Sequence, residues 1–74
     1  MSQDADHQLI GKVGRVCGAI APGEMGEVMV PVRGGTETFY AYAAADETDT
    51  IPEGARVLVL EHDPPRTVVV SRYP

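Results

Sequence analysis

One cysteine, two histidines, no tryptophan and six basic residues leave this 74-residue chain few means of doing chemistry or of being stapled together. Cys17 has no second thiol to pair with internally, which argues against a disulfide-rich secreted scaffold. With histidine confined to His7 and His62, a tetrahedral zinc site lacks ligands, because such sites draw on Cys and His and even carboxylate-assisted ones need ordered histidines. Serine is as scarce where it would matter: Ser2 and Ser71 lie near the two ends, and no serine, histidine and aspartate stand at a spacing suited to nucleophilic catalysis. Long apolar runs are missing too. The best, residues 57–60 and 68–70, are strand-sized and fall far short of the roughly 18 to 20 residues that cross a bilayer as a helix.

Positive charge is short as well. Lys and Arg number 6 against 11 Asp and Glu, for a net charge of -5. Nucleic-acid affinity comes largely from cations that neutralise phosphates, so this balance opposes DNA or RNA as a partner. An anionic membrane surface would repel it. Residues 1–9 are mostly polar and have no basic region followed by an apolar stretch, so they are not read as a signal peptide. Residues 1–8 are expected to be a flexible lead, and residues 9–74 a single domain. A chain of this length buries only about 60 % of the surface its unfolded form exposes, so its core is thin.

What the chain does have is five short segments rich in β-branched and aromatic residues, separated by Gly, Pro and Asp clusters. Strands are expected at residues 12–20, 26–32, 37–44, 56–62 and 66–73, with no helix. Val28, Val30 and Val32 alternate with Glu27, Met29 and Pro31, which marks the valine face as buried. Pro31 has no amide hydrogen and must sit at an edge or a break in the ladder. The paired glycines of Arg33-Gly34-Gly35-Thr36 suit a hairpin reversal. Phe39, Ala41 and Ala43 should face inward, with Tyr40 and Tyr42 on the other side. Val57, Val59, Val68 and Val70 form the expected inward set of the last two strands, leaving Leu58 and Leu60 outward. Val13 and Val16 lie an odd number of residues apart, and a bulge at Gly14 and Arg15 would bring both inward. Between the third and fourth strands, residues 44–55 read as an acidic link too short and too polar for a packed helix.

The order and separations of four stretches resemble the carboxy-terminal soluble domain of the NfeD family. They are Leu9-Ile10-Gly11-Lys12-Val13-Gly14-Arg15-Val16, Pro22-Gly23 with Gly26-Glu27-Val28, Phe39-Tyr40-Ala41-Tyr42-Ala43, and Ile51-Pro52-Glu53-Gly54-Ala55-Arg56-Val57-Leu58-Val59. The resemblance implies an all-β fold, a five-stranded oligonucleotide/oligosaccharide-binding (OB) type β-barrel without the usual helix between strands three and four. It also implies membrane association through segments this chain does not contain, and partnership with stomatin- or flotillin-like scaffold proteins. Two outward tyrosines on the third strand depart from the polar groups such domains more often place there.

Several sharper readings stand beside bland ones. Asp46, Glu47 and Asp49 offer carboxylates to calcium, but without the glycine and glutamate spacing of an EF-hand loop, so a solvated acidic loop is expected. Cys17 has no base or cation beside it in sequence and reads as a structural thiol. Tyr40 and Tyr42 with Arg66 and Arg72 could stack single-stranded nucleic acid, the alternative function, which the net charge opposes. The expectation is a protein without catalysis, cofactor or metal that docks to a protein partner, and a homo-oligomer is compatible with it. Its candidate contact residues are Tyr40, Tyr42, Leu58, Leu60 and Met29.

Overall fold

The structure, a computed structural model, describes residues 9–74. The expected lead over residues 1–8, with His7 and Ser2, lies outside the described residues. Five strands follow in order: β1 (Val13–Gly18), β2 (Gly26–Val32), β3 (Gly35–Ala43), β4 (Arg56–Asp63) and β5 (Thr67–Arg72). They close into a barrel in the order β1-β2-β3-β5-β4, with β4 paired back to β1. All pairings are antiparallel except β3 with β5.

Alternation places the core. Val28 and Val30 of β2, Phe39 and Ala41 of β3, Val57 and Val59 of β4, and Val68 and Val70 of β5 are all buried, while the residues between them lie at or near the surface. Fully burying each of these valines, or Phe39, contributes roughly 1.5 to 3 kcal/mol. Ala43 is half-buried and packs against the same cluster. The β2–β3 hairpin turns through Arg33 and Gly34, between the paired Val32 and Gly35, with Gly34 at φ +85°. β1 pairs with β2 only as far as Met29, so Pro31 lies beyond that ladder and its missing N–H costs no strand bond there.

Two features differ from the sequence expectation. The bulge of β1 is at Cys17, between Val16 and Gly18, and not at Gly14 and Arg15. Gly14 and Val16 point inward while Val13 is only half-buried, so the even spacing is kept by a glycine. An added Cβ at Gly14 would lie 2.8 Å from the Met29 carbonyl oxygen, which explains why no side chain occupies that inward position. β4 carries a second irregularity, between Val59 and Glu61, which makes Leu60 the extra residue.

Residues 44–55 form no helix, as expected, yet they contribute to the interior. Ile51 is fully buried and forms a two-way backbone bridge with Ile20, at 3.0 and 2.9 Å. This pair caps the end of the barrel where β1 leaves. Leu9, before β1, joins the same core after a turn in which the Lys12 amide donates to the Leu9 carbonyl at 3.1 Å.

Candidate functional site

The acidic link is fastened to the barrel through its charge. Glu47 accepts from Arg72 Nε at 3.1 Å and from the Asp49 amide at 3.2 Å, and Arg72 Nη2 also donates to the Thr50 carbonyl at 2.9 Å. The Asp49 amide, followed by Arg72, holds the Glu47 carboxyl below the usual carboxylate range. Among the described residues no group of three His, Cys, Asp or Glu is placed to hold a metal ion.

Cys17 is half-buried in the β1 bulge. Partial burial pushes its thiol pKa up, and the carboxylates of Glu27 and Glu53 add to the shift. His62 is engaged elsewhere, edge-on to Phe39 with ring centroids 6.0 Å apart. Cys17 is therefore expected to alkylate with iodoacetamide at about pH 7.5 several times more slowly than a free cysteine. A rate equal to or above that of the free amino acid, measured by mass spectrometry, would contradict this environment.

Of the candidate contact residues, Tyr40, Tyr42, Leu60 and Met29 expose 46, 40, 39 and 44 % of their surface, whereas Leu58 is half-buried. Four of the five lie on strands that flank β5. Tyr42 is in register with Val69, and Val69 with Glu61 beside the Leu60 bulge, so an outward row crosses β3, β5 and β4. Tyr40 is one row away, opposite Thr67 on β5 and Glu27 on β2. Leu58 stands between Ser71 and Val13. Met29 is separated from this row: it faces Arg15 of β1 and Thr38 of β3.

The Arg66 carbonyl accepts from the Tyr40 amide at 2.8 Å, but the guanidinium heads of Arg66 and Arg72 are engaged by other groups than the tyrosine rings. Arg72 is tied to the acidic link, and Arg66 lies over the Phe39 ring at 5.4 Å while Nη2 donates to the Thr38 carbonyl at 2.7 Å. Sequence reading missed another surface. Val13, Arg15, Met29, Pro31, Thr36 and Arg56 line an open groove of about 320 Å³ on the outside of the barrel. Strand alternation marks Arg15 and Arg56 as outward, but only the closure of β4 onto β1 puts them side by side.

The fold is a closed five-stranded β-barrel of the OB type, with an acidic loop where a helix is usual and apolar side chains on its outer wall. The model of the NfeD C-terminal domain matches residues 13–71, and the chain belongs to that family. It is similar to the C-terminal domain of stomatin operon partner protein 1510-C from Pyrococcus horikoshii, with 29 % identity over 93 % of this chain and 94 % of that one and a TM-score of 0.67. The soluble domain of the NfeD protein YuaF from Bacillus subtilis shares the fold at 24 % identity, over 97 % of this chain and 90 % of that one, with a TM-score of 0.71. So does the soluble domain of a membrane protein implicated in regulation of membrane protease activity from Corynebacterium glutamicum, at 22 % identity, over 93 and 98 % of the two chains, with a TM-score of 0.67. No curated protein matches the chain significantly.

Proposed function

We propose that this domain is a non-catalytic docking module of a membrane-associated NfeD-type protein, and that it engages a stomatin- or flotillin-like scaffold. The observation that carries this reading is the family match over residues 13–71, joined to a 29 %-identical relative described as a stomatin operon partner protein. The outward row on β3, β5 and β4 supplies a contact surface of suitable chemistry. Tyr40, Tyr42 and Leu60 combine apolar area with phenol groups that hydrogen-bond at a rim, Val69 continues the apolar area between Tyr42 and the Leu60 bulge, and Leu58 lies further along β4 beside Ser71. Burial of such a patch drives association without a reacting group.

No helix among the described residues is long and apolar enough to cross a membrane, so the membrane part of this reading rests on segments beyond this domain. Capture of a purified stomatin-like protein on the immobilised domain tests the proposal. Tyr40→Ser with Tyr42→Ser is expected to reduce capture at least about fivefold, as loss of aromatic anchors does at protein interfaces. Undiminished capture would remove both tyrosines from the surface, and absent capture by the unaltered domain would remove the scaffold as its partner.

A further inference from the structure

Arg15 and Arg56 stand directly opposite each other across β1 and β4. Like charges so placed repel, and this chain has almost twice as many acidic as basic residues with which to separate them. It does not use them there. Among the described residues neither guanidinium forms an ion pair with an Asp or Glu side chain. Arg15 Nη1 donates to the Gly54 carbonyl at 2.9 Å, and Arg56 Nη2 to the main-chain oxygen of Pro74, the last residue, at 3.0 Å while its Cζ lies 5.4 Å from the Tyr73 ring centroid. These contacts fix both heads and leave most of each one's five donors free. Both side chains are exposed and line the groove, whose remaining wall is Val13, Gly14, Met29, Pro31 and Thr36, with no acidic residue.

We propose that this groove is a second docking site, which takes an extended acidic segment of a partner protein. Carboxylates of the segment bridge Arg15 and Arg56, and an alternating apolar side chain lies against Val13, Met29 and Pro31. Guanidinium groups already oriented by main-chain bonds bind carboxylates with forked geometry and lose little freedom in doing so. The pairing also removes the repulsion across β1 and β4. A nucleic-acid strand fits less well, because only two cations line the groove and the whole chain carries a net charge of -5. The inference rests on reading the domain as a docking module but uses a different face from the tyrosine row, and it specifies the chemistry of what docks.

The test is an NMR titration of the isotopically labelled chain with a synthetic octapeptide of alternating Asp and Leu, a matching peptide of alternating Lys and Leu, and a short oligothymidylate. The acidic peptide is expected to shift the amides of Val13, Arg15, Met29, Thr36 and Arg56 in a saturable way, and to bind more weakly as salt is raised. Arg15→Gln with Arg56→Gln should weaken it about tenfold or more, Arg15→Lys with Arg56→Lys less, and Tyr40→Ser with Tyr42→Ser not at all. Absent or unsaturable shifts at millimolar peptide, equal response to the lysine peptide, or stronger response to the oligothymidylate would overturn the proposal. So would self-association in sedimentation that the Arg→Gln pair abolishes, since the groove would then be occupied by a second copy. No scaffold protein enters this experiment, so it fails or succeeds independently of scaffold capture.

Discussion

Gly26→Ala is expected to bring the domain close to unfolding under conditions where the unaltered chain is stable. The Cβ it adds would lie 2.6 Å from the carbonyl oxygens of Gly18 and Ala19 and 2.6 Å from Ile20 Cγ1. Two of these three atoms are main chain, held where the end of β1 pairs with the start of β2, and they cannot rotate away as a side-chain tip could. Overpacking of a tight interior typically costs about 1 to 3 kcal/mol, and an obstacle made of backbone belongs at or above the upper end. A domain of this length has a total stability of about 4 to 11 kcal/mol at the usual value per residue. Urea denaturation followed by circular dichroism should show a large fall in midpoint. Gly35→Ala is the control: its added Cβ meets nothing within 4 Å, and a change within about 0.5 kcal/mol is expected. Equal behaviour of the two variants would refute the close approach at Gly26.

Ile51→Ala should be nearly as damaging although Ile51 belongs to no strand. Its side chain is fully buried with Ile20, and truncating such a residue costs about 2 to 5 kcal/mol through lost burial and the cavity left behind. In a domain of this size that corresponds to a fall in melting temperature of roughly 10 °C or more. A calorimetric shift of less than about 4 °C would mean that the link lies loosely over the barrel end and does not close it.

The sequence showed some of this plainly and hid the rest for identifiable reasons. Val28, Val30 and Val32 repeat with the strand period and have no competing helical spacing, so β2 and its inward face could be read directly. In β1 the inward residue before Val16 is Gly14, which has no side chain to register in a hydrophobic pattern. Val13 therefore reads as inward in its place, which puts the expected bulge at Gly14 and Arg15 where the structure has it at Cys17. Ile51 is a lone apolar residue in an acidic stretch, with no periodicity to mark it as core. The candidate contacts divided for a further reason. Turn chemistry sets the β2–β3 register, but nothing local in sequence specifies the parallel β3–β5 pairing or the return of β4 to β1. Those two closures place Val69 between Tyr42 and the Leu60 bulge, and send Met29 to the arginine groove.

Because the ring of strands closes on itself, all five strands have neighbours on both sides along part of their length, and free main-chain edge is confined to the end of the β2–β3 hairpin, since β1 pairs with β2 only as far as Met29 and β5 with β3 only from Tyr40 onward. Around the closed part of the barrel a partner cannot join by adding a sixth strand, the sequence-tolerant route to association. Recognition there is written in the outward side chains. The affinities of a lineage of such domains can therefore drift or change allegiance through single surface replacements while the hidden valine framework stays as it is.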